Sequence, residues 1–256
     1  MSDPHDAERY RAPALDKGLD ILELLADSDE GLSQAEIAKA LGRNANEIYR
    51  MLDRLVRRSY VRRTAADRYE LTLKLFELAH ARPPLGRLVN AAMPAMRAFA
   101  HETRQACHLS VYDRGALIVV AQVDAPDYWN VSIRTGARFR LTGTGSGLVL
   151  LAHAPDGERR VMLAEQQPPE VLDAAIEAEL QDIRAQGFGD VPSRQIAGVR
   201  NLAVPVLGAM GRVLAVFACP YSARLDSAEA PSREATREAL IRASAAISQR
   251  RLQQAD

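Results

Sequence analysis

Residues 33–71, SQAEIAKALGRNANEIYRMLDRLVRRSYVRRTAADRYEL, decide how the first part of this chain folds. Ser33 is a favourable helix N-cap, and Glu36, three residues later, completes a capping box. Gly42 breaks the short helix that follows, as a tight turn between two helices requires. Asn44 is a suitable cap for a second helix. This order of signals predicts a helix-turn-helix.

The second helix of the pair has one apolar face and one polar face. Its apolar residues recur at spacings of three and four, which is the period of an amphipathic helix. They are Ile48, Met51, Leu52, Leu55 and Val56. Asn46, Arg50 and Arg57 fall near the opposite side. Exposed Asn and Arg side chains suit base edges and phosphates in the major groove of DNA, so this is the predicted recognition helix.

A basic hairpin is predicted directly after that helix. Residues 60–63 and 68–71 form two short β-strands in this interpretation, joined by a loop at residues 65–67. Arg62, Arg63 and Arg68 would then contact backbone phosphates beside the recognition helix. Residues 12–72 are therefore predicted to form a winged helix-turn-helix domain.

The charge of this stretch differs from that of the whole chain. Between Lys39 and Arg68 there are nine positive and three negative side chains, although the complete chain has a formal net charge of zero. An amphipathic helix with arginines is often only a solvated surface, but its combination with the turn and the hairpin favours double-stranded DNA as a partner. The predicted DNA contacts are Ser33, Gln34, Arg43, Asn44, Asn46, Glu47, Tyr49, Arg50, Arg54, Arg62, Arg63 and Arg68.

The chain as a whole has the composition of a globular protein. Its 256 residues are enough for two domains. The two cysteines, Cys107 and Cys219, are far apart in sequence, which argues against a disulfide framework and fits a reducing compartment. The polar, acidic residues 1–11 are interpreted as a disordered arm and not as a signal peptide. No apolar run approaches the roughly 20 residues of a membrane helix, so we expect a cytoplasmic protein without a membrane partner.

Helical segments at residues 73–104 are predicted to link the first domain to the rest of the chain. A short helix at about residues 72–81 ends before the Pro-Pro pair at residues 83–84, which marks a domain boundary. A further helical segment from residue 85 to about residue 104 contains Pro94. This proline predicts either a kink or a new helix that begins there.

Residues 105–256 alternate between strands and helices in an α+β pattern. Strands at residues 106–112 and 116–121 are predicted around a turn at residues 113–115. The other predicted strands are 130–134, 202–207 and 213–218, and the predicted helices are 148–152, 156–164, 169–186 and 232–252. Together they predict an antiparallel sheet with helices packed against it.

Four stretches carry a pattern that goes beyond secondary structure. They are ALDKGLDIL at residues 14–22, IYRML at residues 48–52, residues 136–152 with the glycine-rich GTGSG before LVLLA, and GVRNLAVPV at residues 198–206. Together they resemble the IclR family of bacterial transcription regulators, and the resemblance covers nearly the whole chain from residue 12. The last two stretches are the most specific, because they place one particular effector domain behind a winged helix.

This resemblance implies a winged helix-turn-helix, a linker helix and a GAF-like α+β effector-binding domain at residues 105–256. It also implies a homodimer or homotetramer on a palindromic operator, with no catalysis and no cofactor. Two departures from the family pattern are visible. Residues 43–47, RNANE, replace the usual start of the recognition helix, and Leu148 stands where a lysine is usual. Operator preference is therefore not carried over from the family.

The chemistry-bearing side chains do not form a recognisable catalytic pattern. Cys107 and His108 are neighbours on a predicted strand and therefore point to opposite faces. Ser146 lacks the outer glycines of a nucleophile elbow, and the five histidines show no metal-ligand spacing. We expect no catalytic residue and no metal site.

Two other functions are possible for such a chain. One is a winged-helix protein-interaction module with a sensory domain, and the other, less favoured, is a small-molecule enzyme.

The glycine turn is the predicted ligand site. Gly145 and Ser146 precede a helix, where backbone N–H groups attract an anion such as a carboxylate. The alternative is a turn that simply needs positive φ. By the resemblance, Asn201, Val216 and Ala218 match pocket-lining positions, and valine and alanine there indicate a less polar pocket. The predicted effector is therefore a small organic acid, aromatic or otherwise apolar.

Two further residues are included as effector contacts, each with an alternative. Trp129 is the only tryptophan and would be either pocket wall or core. His108 lies on a strand that would face the pocket, although a histidine in such a place is more often part of the core.

Overall fold

The computed structural model describes residues 12–81, 83–128, 130–225 and 230–253. The chain forms two compact units that divide between Pro83 and Pro84. The arm predicted at residues 1–11 lies outside the described residues. Among the helices of the described part, none is long and apolar enough to cross a membrane.

The first unit consists of a helix-turn-helix and a small antiparallel sheet, which confirms the predicted winged helix. Its elements are α1 (Pro13–Ala26), β1 (Leu32–Ser33), α2 (Gln34–Ala40), α3 (Ala45–Arg57), β2 (Val61–Arg63), β3 (Arg68–Leu71) and α4 (Lys74–His80). The strands are ordered β1-β3-β2, so the wing hairpin gains a third strand from the residues before α2. This strand was not predicted, because two residues carry no periodicity.

Both predicted helix caps are present. Ser33 Oγ accepts a hydrogen bond from the backbone N–H of Glu36 at 3.3 Å, and the Ser33 N–H donates to Glu36 Oε2 at 2.7 Å. Asn44 Oδ1 accepts from the N–H of Asn46 at 2.9 Å. These bonds satisfy N–H groups that the helices themselves leave unpaired, and so they fix where α2 and α3 begin.

The core of the first unit lies where α1, α2 and α3 meet. Ile48 and Leu52 of α3 are fully buried against Ile37 of α2 and against Ile21 and Leu25 of α1. The apolar stripe predicted on α3 therefore faces the core. As a consequence, the opposite, polar side of α3 is left to the solvent.

The second unit is an α+β domain built on one antiparallel sheet, as predicted. Its elements are α5 (Pro83–Thr103), β4 (Cys107–Asp113), β5 (Ala116–Val123), β6 (Arg138–Phe139), α6 (Gly145–His153), α7 (Asp156–Ala164), α8 (Ala174–Gln186), β7 (Gly189–Pro192), β8 (Val199–Leu207), β9 (Val213–Ser222) and α9 (Arg233–Gln253). The strand order is β6-β5-β4-β9-β8-β7, and every neighbouring pair is antiparallel.

Helices cover both faces of this sheet. Alternate residues of β9 point to opposite layers, because successive side chains of a strand do so. Phe217 and Cys219 pack in the cluster that includes α5 and α9, whereas Val216 and Ala218 pack in the cluster that includes α6 and α8. Phe99 of α5 meets Phe217 edge to face, with ring centroids 5.4 Å apart.

The helix α5 is continuous through Pro94, so no new helix begins there. The kink at Pro94 stays a prediction. Proline removes one helical hydrogen bond, but Met96 and Phe99 are buried in the sheet's core and hold the helix in place. Most of the segment predicted as a linker, residues 73–104, thus contributes to the core of the second unit.

The strand predicted at residues 130–134 was wrong. Those residues are irregular, and β6 forms the sheet edge instead, with Phe139 opposite Leu117 of β5. The chain reverses at Gly136, which has a φ of 86° and donates its N–H to the carbonyl of Val119. Branched residues at 131 and 133 suggested a strand, but no strand of the described residues pairs with them.

Two other boundaries differ from the sequence prediction. The helix predicted at residues 169–186 begins only at Ala174, because Asp173 caps it by accepting a hydrogen bond from the N–H of Ile176 at 2.8 Å. The strand β7 was not predicted. It follows Gly187, whose φ of 78° ends α8 in the left-handed conformation.

The first turn of α6 packs unusually close to its neighbours. A Cβ atom on Gly147 would lie 1.9 Å from the carbonyl oxygen of Leu141, and one on Gly145 would lie 2.7 Å from Cβ of Asn201. Neither of these glycines has a positive φ. The alternative explanation for the glycine turn, a requirement for positive φ, therefore does not apply to them, and close approach is the reason for glycine.

We predict that Gly147→Ala destabilises the second unit by about 1–3 kcal/mol, because the new methyl group would overlap a backbone carbonyl. The matched control is Gly157→Ala in the first turn of α7, where no atom lies within 4 Å of an added Cβ. That variant should be neutral or stabilised by up to about 1 kcal/mol. Urea unfolding followed by the fluorescence of the single tryptophan measures both. Equal stability of the two variants would contradict the packing argument.

Candidate functional site

The solvent side of α3 carries cations that the rest of the unit does not neutralise. Asn46, Tyr49, Arg50 and Arg54 are exposed there. Within the described residues, Arg50 and Arg54 take part in no ion pair or side-chain hydrogen bond. Two arginines one helical turn apart and without internal partners are therefore available to a polyanion.

Other charged residues near α3 are engaged inside the unit. Lys17 of α1 donates to Glu47 of α3 at 2.9 Å, and this hydrogen bond lowers the pKa of the Glu47 carboxyl. Arg43 lies 3.9 Å from Asp20, a long and exposed pair. Glu47, a predicted DNA contact, therefore also helps to join the recognition helix to α1.

The residues predicted at the turn also act within the motif. Gln34 Nε2 donates to the carbonyl of Ala45 at 2.9 Å, which links the start of α2 to the start of α3. Ser33 and Asn44 are the N-caps described above. Gln34 thus joins the two helices, while Ser33 and Asn44 each fix the start of one helix. The contacts of all three residues with DNA remain predictions.

The wing arginines Arg62 and Arg63 are exposed but paired. Arg62 forms a 2.6 Å ion pair with Glu70, which lies directly opposite it on β3. Arg63 forms an ion pair with Asp67, and its guanidinium lies 5.9 Å from the centre of the Tyr69 ring. Exposed pairs of this kind contribute little to stability, so a phosphate can replace the carboxylate as the partner of either arginine.

Arg68 has a different environment from the other wing arginines. Its side chain is only 34% exposed, and its guanidinium donates to the backbone carbonyl of Gly31 at 2.9 Å and to that of Glu30 at 3.2 Å. It also lies 3.2 Å from Glu36, the capping-box residue of α2. Arg68 thus ties the wing to the helix-turn-helix, a role that the sequence did not indicate.

The second unit contains a cavity of about 300 Å³ beside the first turn of α6. Its wall is formed by residues of β4, β6, β8, β9 and α6, together with the irregular segments before β6 and before β8. The lining residues are His108, Val131, Ser132, Ile133, Arg134, Ala137, Phe139, Thr144, Gly145, Ser146, Ser193, Gln195, Ile196, Val199, Asn201 and Pro220.

The cavity favours an anion for two reasons. Arg134 is the one charged side chain among its described lining residues, and no carboxylate is among them. The N-terminus of α6 also opens here, where the first N–H groups of a helix have no partner within the helix. Thr144 caps this helix by accepting a hydrogen bond from the N–H of Gly147 at 3.1 Å, which leaves the N–H groups of Gly145 and Ser146 for a ligand.

His108 is the buried polar residue of the cavity wall. Burial lowers its pKa to about 4, so the imidazole is neutral at physiological pH. Its Nε2 lies 3.5 Å from Ser146 Oγ, and its Nδ1 has no hydrogen-bond partner among the described residues. Cys107, its neighbour on β4, points into the other layer, with Sγ 3.5 Å from the carbonyl of Met96. The predicted opposition of these two side chains is confirmed.

The cavity brings together four of the seven predicted effector contacts, namely Gly145, Ser146, Asn201 and His108. Val216 and Ala218 are not on its wall, because both are buried in the core between the sheet and α6. Trp129 lies outside the described residues. Sequence reasoning missed Arg134, since the segment that carries it was predicted as a strand.

The described residues contain no group of three or more histidine, cysteine, aspartate or glutamate side chains that could hold a metal ion.

Two family models match the chain. Residues 86–249 match the bacterial transcriptional regulator IclR C-terminal domain, and residues 14–65 match the IclR helix-turn-helix domain. The chain belongs to the IclR family of bacterial transcriptional regulators. As an IclR-family member it is a DNA-binding transcription regulator, so the rival interpretation as an enzyme is rejected.

Individual IclR-family proteins are similar over most of the chain. The transcriptional regulator KdgR of Escherichia coli is 28% identical over 202 residues, which is 76% of this chain and 76% of KdgR. The crystal structure of Pseudomonas aeruginosa HmgR is 27% identical and has a TM-score of 0.75, over 93% of this chain and 99% of HmgR. An IclR homolog of Microbacterium hydrocarbonoxydans, complexed with 4-hydroxybenzoate, has the same fold, with a TM-score of 0.75, 22% identity and coverage of 93% and 98%.

The contacts of Arg68 predict that its loss weakens the wing itself. Arg68→Ala should raise the rate of amide hydrogen exchange in residues 28–72 by about tenfold or more, because it removes charge-assisted bonds to backbone carbonyls. Arg54→Ala, the control, removes an exposed arginine without a partner among the described residues and should leave exchange unchanged. Hydrogen-exchange mass spectrometry compares the two, and equal exchange would show that Arg68 has no structural role.

Proposed function

We propose that this IclR-family regulator binds a palindromic operator as a homodimer or homotetramer, and that a small organic acid in the second unit changes its affinity for DNA. The observation that carries the effector proposal is the cavity beside α6, where the one charged lining residue is a cation. The observation behind the DNA proposal is the unpaired basic face of α3.

Within the DNA-binding unit, Asn46 and Arg50 are the proposed base-reading residues. They lie one turn apart on the exposed side of α3, and an α-helix fits the major groove, where Asn and Arg recognise adenine and guanine edges. Arg54, Arg62 and Arg63 would supply phosphate contacts, which set affinity and register but carry no sequence information.

Symmetry follows from the size of the recognition surface. A single helix contacts only a few base pairs, so sequence-specific binding requires two copies on half-sites about one helical turn apart. A homodimer with a two-fold axis matches such a palindromic site, and a homotetramer would contain two such pairs.

The roles of the arginines are separable by measurement. Arg50→Ala should weaken binding to a duplex selected from random sequences by about 1–3 kcal/mol and relax its sequence preference. Arg63→Ala should weaken selected and scrambled duplexes alike and reduce the salt slope of the affinity by about 1. Fluorescence anisotropy at several salt concentrations measures both effects.

The control on the same helix is Arg57→Ala. Arg57 is the last residue of α3 and is paired with Asp53 at 2.9 Å, whereas the N-terminal residues of a recognition helix contact the base edges. This variant should bind nearly as well as the unaltered protein. A duplex with a single half-site should bind much more weakly than the palindrome. The assignment of helix and wing fails if Arg50→Ala and Arg63→Ala have the same effect on both kinds of duplex.

For the effector, we propose a carboxylate on the N–H groups of Gly145 and Ser146, with Arg134 as its counter-ion. Val131, Ile133 and Phe139 supply apolar wall, which suits an aromatic or aliphatic body. The volume of about 300 Å³ is at the small end of ligand sites. The complex of the Microbacterium homolog with 4-hydroxybenzoate, a small aromatic acid, supports this class of ligand.

The remaining predicted contacts have different parts in this proposal. Asn201 belongs to the wall of the cavity and is retained as a contact. Val216 and Ala218 would act from behind the wall, as packing for α6 and not as contacts. Regulation requires that the acid bind the DNA-competent and DNA-incompetent arrangements with unequal affinity, since equal affinity shifts nothing.

A thermal-shift screen of aromatic and short aliphatic acids, followed by calorimetry, tests the effector proposal. For acids that bind, Arg134→Gln should weaken affinity by about tenfold or more, because it removes a charge-assisted contact. Arg138→Gln makes the same charge change at a neighbouring exposed position outside the cavity and should leave affinity within about twofold.

DNA binding measured with and without each acid then tests regulation. An acid that stabilises the protein should change operator affinity in one direction at saturating concentration. Binding of the uncharged amide of an acid as tightly as the acid itself would contradict the proposed carboxylate site.

A further inference from the structure

His108 is positioned to read one group of the ligand beyond its carboxylate. It is 4% exposed and lines the cavity, so a ligand that fills the cavity touches the imidazole ring. Its only hydrogen-bond partner among the described residues is Ser146 Oγ, which lies at the long distance of 3.5 Å from Nε2, and the other ring nitrogen, Nδ1, has no partner. A buried polar atom without a partner is rare and calls for a ligand group or a water molecule.

Most other polar side chains of the wall are already engaged. Thr144 caps α6, Gln195 donates to the carbonyl of Gly143, and Ser193 Oγ accepts from the N–H of Ile196. Arg134 supplies the positive charge. Among the described lining residues, only His108 has a fully buried side-chain polar atom without a hydrogen-bond partner.

The place of His108 restricts where the group it recognises lies. Ser146 is the second residue of α6, and its hydroxyl oxygen is 3.5 Å from the imidazole. A carboxylate on the first N–H groups of α6 is therefore next to the ring. The ligand atom that meets His108 would then be attached to the carbon beside the carboxylate.

The chemistry of the ring indicates a hydroxyl group. A neutral imidazole has one donor and one acceptor nitrogen, and the chain does not fix which nitrogen carries the proton. A hydroxyl group both donates and accepts, so it pairs with either tautomer, whereas a carboxylate only accepts. We propose that His108 is a specificity-determining residue that recognises a hydroxyl group beside the carboxylate, so that a 2-hydroxy acid is preferred over its deoxy counterpart.

This inference rests on the proposed effector site and makes it more specific. It is tested on the full-length chain by calorimetry with pairs of acids that differ only in that hydroxyl, namely lactate and propionate, and mandelate and phenylacetate. The unaltered protein should bind the hydroxylated member of a pair about tenfold more tightly, the effect expected of one buried hydrogen bond.

Four variants separate the role of His108 from a structural one. His108→Phe, or His108→Leu if the first does not fold, should lower the preference to within about twofold while the deoxy acid binds as before. His108→Gln keeps a donor and an acceptor and should retain part of the preference. Ser110→Ala is the control, since its buried hydroxyl lies on the same strand but outside the cavity wall, and it should not change the preference.

The outcomes distinguish this inference from the proposal on which it depends. Binding of the acids without preference for the hydroxylated members overturns the inference alone. A preference that survives in folded His108→Phe or His108→Leu also overturns it, and loss of the preference in Asn201→Ala instead would assign the role to Asn201. If none of the four acids binds at millimolar concentration, the small-acid effector and this inference both fail.

Discussion

The approach of α6 to its neighbours is the constraint on which the second unit depends. Position 147 has room for no side chain, because a Cβ atom there would lie 1.9 Å from the carbonyl oxygen of Leu141. This contact holds the helix N-terminus against the chain and beside β8, where Gly145 meets Asn201. The same closeness brings Ser146 to His108. The cavity beside α6 is thus a consequence of backbone packing that only glycine permits, and its polar groups are placed by that packing.

Ion pairing within the first unit sorts its basic residues into different roles. Lys17 and Arg68 are held by Glu47 and by backbone carbonyls, and they join helices and wing to one another. Arg62 and Arg63 have exposed partners that a phosphate can replace. Arg50 forms no ion pair or side-chain hydrogen bond among the described residues, and it acts on Glu47 only through a coulombic interaction. Charge counts along the sequence do not distinguish these cases. The pairing of each arginine within the unit, however, determines how available it is to DNA.

The side chains of the cavity wall also have different roles, because one is charged and the others are neutral. Its wall contains one cation and no described carboxylate, in a chain whose formal net charge is zero. The buried imidazole of His108 stays neutral because burial lowers its pKa, so the positive potential comes from Arg134 and the helix N-terminus. In the proposed site, Arg134 and the helix N-terminus would bind the carboxylate of the ligand. The neutral groups beside them would discriminate between different acids.

The sequence by itself determined the elements whose signals are local. Capping residues, a 3.6-residue period and the two-residue turn at Arg114 and Gly115, both with positive φ, depend only on near neighbours, so these features were predictable. Only the tertiary structure decided which side of β9 faces the cavity, that residues 131–134 form part of its wall, and that Arg68 is structural. Each of these features depends on contacts between residues that are far apart in the chain. Local periodicity in the sequence does not predict such contacts.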